Sequence, residues 1–278
     1  MRFLFSLIFI TFFVLSPSLV FALSWQESPE LKPLFTELGI KEGTFVLYDV
    51  NENILKGYNK KRAETRFIPG STYKIPNALI GLSVGAVKNV DEVLPYGGQP
   101  QPIKAWEHDM SLRDAIKMSN VPIYQELARR IGLINMWKLL DKLNFGNDEV
   151  LKPLMHRRKG LGVVAIDRFW LDGPLKISAV EQVEFLKRLA LGELPVDKEI
   201  QQSVREILKL EQGENWALFG KTGAVDKYNP SLGWWVGWVE KEGRVYIFAL
   251  NIDMLDNTYF ERRISLGKNC LKKLGVLP

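Results

Sequence analysis

Short segments that read as strands lie near both ends of the chain. Near the start, residues 44–50 and 54–58 have this character, and the polar residues 51–53 between them predict a hairpin. Near the end, residues 216–219, 233–239 and 245–252 show strand-like patterns. Strands are therefore predicted close to both termini.

Between these strands, apolar residues recur at spacings of three and four, which predicts helices. The segments that follow this pattern are 72–84, 111–118, 122–131, 133–143 and 178–191, with further helices predicted at 29–38 and 260–274. Strands at both ends must meet in one sheet, so the middle of the chain has to be an insertion. We predict an α+β sandwich: a central antiparallel sheet flanked by the terminal helices, with an inserted all-helical lobe at about 76–205. A substrate cleft is expected where the lobe meets the sheet.

The first 22 residues have the pattern of a secretory signal peptide. Arg2 precedes a long apolar run, and the segment ends in Val-Phe-Ala. A membrane anchor is the alternative, because the run is nearly long enough to span a bilayer. Pro17 interrupts the run late and Ala22 offers a cleavage point, so we predict cleavage and no stable membrane anchor. Residues 23–278 are predicted to form a single catalytic domain.

Composition excludes several classes of function. The hydrophobic content of 46% and the charged content of 25% are ordinary for a globular protein, and a net charge of +5 is too small to indicate nucleic acid binding. Cys270 is the only cysteine, so no intramolecular disulfide can form. His108 and His156 are far apart in sequence, which argues against a zinc hydrolase.

The segment Ser71-Thr72-Tyr73-Lys74 is a candidate nucleophile with an adjacent base. A serine at a helix start lies near free backbone N–H groups, and a lysine three residues later lies on the same helix face. The alternative is a purely structural role, in which Ser71 caps the helix and Lys74 is a surface lysine. The apolar neighbours Phe67, Ile68 and Ile75 argue against it, because they predict a poorly hydrated environment for Lys74.

Two further motifs lie later in the chain, one at residues 119–121 and one at residues 221–223. Lys221-Thr222-Gly223, predicted to lie directly after the strand 216–219, combines a positive charge, a hydroxyl and a residue that lets a ligand approach the backbone. Ser119-Asn120-Val121 lies between two predicted helices. Each motif alone could have a purely structural role: Lys221-Thr222-Gly223 as a turn that ends a strand, and Ser119-Asn120-Val121 as a loop that caps a helix.

Together these motifs, in this order and spacing, resemble the penicillin-recognising serine enzymes, and Val121 in the middle motif points to class D (oxacillinase-type) β-lactamases. The resemblance extends over nearly all of the chain after residue 22. Phe145-Gly146-Asn147 is similar to the family's Tyr-Gly-Asn element, with Phe in place of Tyr. Residues 169–178 resemble its active-site loop, and 233–238 its strand after Lys-Thr-Gly.

This resemblance implies penicillin binding, β-lactam hydrolysis and antibiotic resistance in a secreted, periplasmic enzyme. Ser71 would be the acylated nucleophile, and Lys74, carboxylated on its amine by carbon dioxide or bicarbonate, the general base. The indole N–H of Trp170 would steady the carbamate, and Ser119 would relay a proton to the leaving lactam nitrogen. No metal and no other cofactor is implied.

The resemblance also implies how the substrate is bound. An arginine near the C-terminus would hold the substrate carboxylate, and its spacing favours Arg263 over the adjacent Arg262. The backbone N–H groups of Ser71 and Ala224 would receive the oxyanion. The residues implied to bind or surround the substrate are Lys221, Thr222, Gly223, Ala224, Arg263, Val121 and Leu171.

Other interpretations stay open at this point. A cell-wall transpeptidase or carboxypeptidase would use the same serine and lysine, but such proteins usually carry a further domain and an anchor. A penicillin sensor would be acylated without turnover, and a non-catalytic binding protein would not be acylated. The range of antibiotics accepted, and the choice between monomer and homodimer, are not predicted from the sequence.

Overall fold

The computed structural model describes residues 24–147 and 165–278. The predicted signal peptide, residues 1–22, lies outside the described residues. In the two described ranges, no helix has the length and apolar character needed to cross a membrane.

Within the described residues the main sheet has seven strands in the order β1-β3-β2-β9-β8-β7-β6. The strands are β1 (Trp25–Glu27), β2 (Gly43–Asp49), β3 (Ile54–Tyr58), β6 (Lys209–Gln212), β7 (Trp216–Val225), β8 (Ser231–Lys241) and β9 (Arg244–Met254). All neighbours are antiparallel except β1 and β3, which run parallel. Strand β2 pairs with β9, with Phe45 opposite Leu250, so the two ends of the chain meet in one sheet as predicted.

Helices cover both faces of this sheet. The helices are α1 (Lys32–Glu37), α2 (Lys60–Ala63), α3 (Lys74–Ser83), α4 (Leu112–Lys117), α5 (Val121–Ile131), α6 (Leu133–Leu143), α7 (Ala179–Ala190), α8 (Lys198–Ile207) and α9 (Tyr259–Lys273). Alternation along β8 divides the core into two layers. Trp234 and Trp238 belong to the layer shared with the inserted lobe, whereas Trp235 packs in the layer beneath the terminal helices α1 and α9. The predicted α+β fold is confirmed.

The structure adds two elements to the predicted lobe. A short two-stranded sheet pairs β4 (Val93–Leu94) with β5 (Met110–Ser111), so the lobe is not built of helices alone. Helix α8 was not predicted, although Val204 and Ile207 are buried on one face of it. Its remaining surface is strongly polar, and three or four apolar positions are too few to distinguish a short helix from a loop.

Strand β7 is longer than predicted. It runs through Lys221-Thr222-Gly223 to Val225, so this motif lies inside the strand and not after it. Glycine usually weakens a strand, but here pairing with β8 is continuous from Trp216 to Val225. A side chain at Gly223 would place its Cβ 2.9 Å from the carbonyl oxygen of Pro69, so this glycine allows the nucleophile segment to approach.

Candidate active site

The nucleophile segment is a short 3₁₀ turn, Gly70–Tyr73, that continues into α3. Gly70 has φ +54°, and a Cβ there would lie 2.6 Å from the carbonyl oxygen of Ala224, so glycine is required for both conformation and space. Thr72 donates from Oγ1 to the Pro69 carbonyl (2.9 Å) and accepts from Gln182 Nε2 (2.9 Å). These contacts hold the turn that carries Ser71 in one position.

Lys74 lies directly behind the nucleophile. Its Nζ is 2.6 Å from Ser71 Oγ, and the side chain is completely buried. Burial holds the pKa of the Lys74 amine well below its ordinary value, and the nearby charge of Lys221 lowers it further. A lowered pKa favours the neutral amine, which is the form that can accept a proton.

Trp170 packs against the segment that carries the nucleophile, and its backbone carbonyl accepts a hydrogen bond of 3.0 Å from the N–H of Gly70. It is fully buried and stacks on Tyr73 with ring centroids 5.0 Å apart. Its Nε1–H has no hydrogen-bond partner among the described residues. Because a buried donor without an acceptor is costly, this N–H marks a place for an additional acceptor.

Ser119 and Lys221 meet across the cleft. Ser119 has φ +53°, and the following Asn120 caps α5 through the backbone N–H of Ile123. Lys221 donates from Nζ to Ser119 Oγ (2.9 Å) and to its neighbour's carbonyl, Thr222 O (2.9 Å). Burial lowers the pKa of the Lys221 amine to about 7, and the positive charge of Arg263 makes a smaller contribution in the same direction.

The two candidate arginines point to different places. Arg263 is buried, lines the cleft and donates from Nη1 to the Gly223 carbonyl. Burial lowers its pKa to about 10, so it stays charged at neutral pH. Arg262 donates instead to the carbonyl of Leu38 (3.1 Å), on the other side of α9. Of the pair, only Arg263 reaches the cleft.

These residues surround a cleft of about 670 Å³. The predicted residues that line it are Ser71, Ser119, Val121, Leu171, Thr222, Gly223, Ala224 and Arg263. Lys74, Trp170 and Lys221 lie buried behind this surface. The structure thus brings every predicted site residue together, although they are drawn from segments separated by up to about 190 positions.

Sequence reasoning missed several residues of the site. Apolar side chains of Ile103, Met118 and Phe260 form its rim, and Asp172 and Lys227 line its mouth. Gln182 lies on the buried face of α7 among apolar residues. That position was the one available signal, because a polar residue on an apolar helix face needs a partner.

Comparisons with known proteins agree with this geometry. The penicillin binding protein transpeptidase domain family matches residues 43–266. The chain is 39% identical to β-lactamase OXA-10 of Pseudomonas aeruginosa, over 84% of this chain and 85% of that protein. It is 38% identical to β-lactamase OXA-48 of Klebsiella pneumoniae, over 92% of both. The crystal structure of FUS-1 (OXA-85), a class D β-lactamase from Fusobacterium nucleatum subsp. polymorphum, superposes with a TM-score of 0.82 at 40% identity, covering 91% of this chain and 100% of that one.

The fold and the serine–lysine site define a protein of the penicillin-binding transpeptidase type. Within that type, the chain belongs to the class D β-lactamases.

Proposed function

We propose that this protein hydrolyses β-lactam antibiotics through an acyl-ester on Ser71 and thereby confers resistance to them. The observation that carries the proposal is the buried Lys74 amine 2.6 Å from Ser71 Oγ, a residue that lines an open cleft; burial holds the pKa of this amine well below its ordinary value. Nucleophile and base within hydrogen-bond reach are what serine acylation requires. The family to which the chain belongs supports the choice of β-lactams as substrate.

Acylation begins when Ser71 Oγ attacks the lactam carbonyl carbon and its proton leaves toward Lys74. The oxyanion is received by the backbone N–H groups of Ser71 and Ala224, which lie on facing elements of the cleft. The lactam C–N bond breaks, and Ser119 passes a proton to the nitrogen. The hydrogen bond from Lys221 keeps the Ser119 hydroxyl directed into the cleft.

The substrate carboxylate is bound by positive charge at one end of the cleft. Arg263 supplies a guanidinium, and Thr222 a hydroxyl on the adjacent strand. Lys221 adds charge when it is protonated. Gly223 has no side chain, so the backbone of β7 stays open to the substrate. These groups hold the lactam with its carbonyl above Ser71.

The residues around Lys74 fit a carboxylated lysine, formed from carbon dioxide or bicarbonate. A neutral amine is the form able to react, and the Nε1–H of Trp170, which no described residue accepts from, is the donor that would hold the added carboxylate. When present, the carbamate supplies an anionic oxygen base. Val121 and Leu171, both half-buried at the cleft wall, keep water scarce around it.

Release of the acyl group distinguishes hydrolysis from other acyl-serine functions. Nitrocefin turnover by the purified protein, followed beyond one equivalent, tests the proposal directly. Continued turnover that is lost in Ser71→Ala supports it. A single burst with a stable acyl-enzyme, seen by mass spectrometry, would instead indicate a penicillin sensor or a transpeptidase.

We also propose that residues 1–22 are a signal peptide, that residues 23–278 form one catalytic domain and that the mature enzyme works in the periplasm. The apolar run after Arg2 and its ending at Ala22 support the cleavage. Fractionation followed by N-terminal sequencing of the mature protein tests this. A mature protein that begins at Met1 would contradict it. The same preparation, run by size exclusion, separates a monomer from a homodimer.

A further inference from the structure

Asn120, the middle residue of the motif at 119–121, is completely buried although its side chain is polar. Its Oδ1 accepts a hydrogen bond of 3.2 Å from the backbone N–H of Ile123, which caps α5. Its Nδ2 donates to the backbone carbonyl of Trp106 at 3.2 Å and to Met110 Sδ at 3.4 Å. A helix cap needs only the acceptor, so the donating end of this amide has a separate role.

Trp106 is hydrogen-bonded to the residues on both sides of Ser119. Its indole Nε1–H donates to the carbonyl of Met118 at 3.1 Å, and its own carbonyl accepts from Asn120. Trp106 ends a short 3₁₀ turn, Lys104–Trp106, and lines the cleft. The two bonds run in opposite directions between this turn and residues 118–120, and we call them the Trp106 clamp.

Ser119 has a backbone conformation that needs support. Its φ of +53° is unfavourable for a residue other than glycine and persists where surrounding contacts hold it. Two main-chain bonds close the turn onto α4: Ser119 donates to Ile116 (3.2 Å), and the next residue donates to Ala115 (2.8 Å). The Trp106 clamp fixes the same turn to the wall of the cleft. Because Lys221 Nζ reaches Ser119 Oγ from the sheet, the direction of this hydroxyl depends on where the turn is held.

We propose that Asn120 is a positioning residue for the proton relay: through the Trp106 clamp, it holds the Ser119 hydroxyl between Lys221 Nζ and the departing lactam nitrogen. The inference rests on the proposed hydrolysis, in which Ser119 passes a proton to that nitrogen as the C–N bond breaks. Asn120 is not among the residues that line the cleft, so its loss slows acylation and leaves substrate binding unchanged.

The test uses Asn120→Ser and two substrates that differ in the departing nitrogen. Serine also caps helices, so the cap of α5 is kept, but its side chain is too short to donate to the Trp106 carbonyl. The nitrogen released from benzylpenicillin is a basic amine that must be protonated. In nitrocefin the dinitrostyryl group delocalises the charge on the departing nitrogen, so protonation matters less. Quench-flow mass spectrometry gives the rate constant of acyl-enzyme formation at saturating substrate.

We expect the acylation rate constant for benzylpenicillin to fall about tenfold in Asn120→Ser, and that for nitrocefin to change less than about twofold, because a small displacement of a reacting group is costly. The concentration that gives half the maximal rate should not change for either substrate. Ser119→Ala sets the limit of the effect, with a fall of about 10²-fold in the ratio of the two rate constants. A rate constant at saturation does not depend on the fraction of folded enzyme.

Asn59→Ser is the matched control. Asn59 also caps a helix, through Oδ1 and the backbone N–H of Arg62, and donates from Nδ2 to a carbonyl, that of Gly43 (3.0 Å). It is not among the residues that line the cleft, and its substitution should leave the ratio unchanged. Trp106→Phe removes the other bond of the clamp, keeps a ring at the cleft and should lower the ratio as Asn120→Ser does.

Three results would overturn the inference while the proposed function stands: an unchanged ratio in Asn120→Ser or Trp106→Phe, an equal fall for both substrates, or a fall of the same size in Asn59→Ser. An unchanged ratio in Ser119→Ala would remove the relay step, and the inference with it. Absence of hydrolysis of both substrates by the unmodified enzyme would overturn the proposed function itself.

Discussion

Lys221 donates a hydrogen bond of 2.9 Å from Nζ to Ser119 Oγ, which joins the sheet to the inserted lobe across the cleft. The two residues are 102 positions apart in sequence. The lysine is almost completely buried, and Arg263 adds a second positive charge to the same region. Its protonation therefore depends on pH within the range in which the enzyme works.

We expect the KM for carboxylate-bearing β-lactams to rise as pH increases from 6.5 to 8.5. Burial lowers the pKa of Lys221 to about 7, so the amine is protonated below that pH and neutral above it. The protonated form attracts the substrate carboxylate, and that attraction is lost as pH rises. Steady-state kinetics at constant ionic strength measures the effect.

Two controls isolate this charge. A penicillin methyl ester has no carboxylate, so its KM should not follow the same titration. Lys221→Arg keeps the positive charge at all these pH values and should flatten the profile for the free acid. A KM for the free acid that is constant from pH 6.5 to 8.5 would show that Lys221 does not titrate in this range.

Bicarbonate should restore activity that is lost when the enzyme is prepared at acid pH. Acid protonates the Lys74 amine, which then cannot hold carbon dioxide, and because burial lowers the pKa of this amine, it returns to the neutral form more readily as pH rises. Lys74→Ala should lose about 10²- to 10⁴-fold in kcat, as expected for loss of a general base, and should not respond to bicarbonate. Rates of nitrocefin hydrolysis, measured with and without added bicarbonate, test whether Lys74 is carboxylated. Equal rates in both conditions would argue against a carbamate.

Trp170→Phe should slow deacylation more than acylation, by about 10²-fold, because one hydrogen-bond donor in the active site is lost. Phenylalanine keeps an aromatic ring against Tyr73, so packing changes little. A burst followed by a slow steady state in stopped-flow measurements is the expected signature. Trp137→Phe is the matched control. The indole N–H of Trp137 is also buried and has no partner within residues 24–147 and 165–278, but it lies in α6, away from the cleft. A similar burst in Trp137→Phe would show that the effect is not specific to the site.

Gly70→Ala should lower the free energy of unfolding by about 3 kcal/mol, because it combines backbone strain at positive φ with a clash against Ala224. Displacement of the nucleophile turn should also reduce kcat/KM by about 10²-fold. Urea denaturation and nitrocefin kinetics measure the two effects.

Gly85→Ala separates strain from the clash. Gly85 also has positive φ (+68°), but a Cβ there has nothing within 4 Å. It should therefore cost about 1 kcal/mol of stability and leave kcat/KM unchanged. An equal loss of activity in both variants would show that close contact between Gly70 and Ala224 is not what positions Ser71.

Local features of the fold and site were readable from the sequence. The contact between Ser71 and Lys74 needs only the geometry of one helical turn, because residues three apart lie on the same face. The alternation in β2 and β8 and the helical spacing of α5 and α6 likewise depend on periodicity within a few residues. For such features the chain itself carries the information.

Other features were decided by segments that are distant in sequence. Arg262 and Arg263 are adjacent residues of the same type. Their spacing favours Arg263, but it is the packing of α9 that turns Arg263 toward Gly223 and Arg262 toward Leu38. Strand β7 continues through two glycines because β8 pairs with it along its whole length. The hydrogen bond from the backbone N–H of Ile68 to the Tyr228 hydroxyl joins residues that are 160 positions apart.

The catalytic chemistry likewise depends partly on the local sequence and partly on the tertiary structure. The motifs determined which nucleophile and which charges this protein has, and their order identified a penicillin-recognising serine enzyme. The lowered pKa of Lys74, the burial of the Trp170 N–H, which has no partner in the described part of the chain, and the titration of Lys221 near pH 7 depend on desolvation by the assembled lobes. Desolvation is a property of the surrounding volume, which is filled by residues from the whole chain, so only the tertiary structure could decide it.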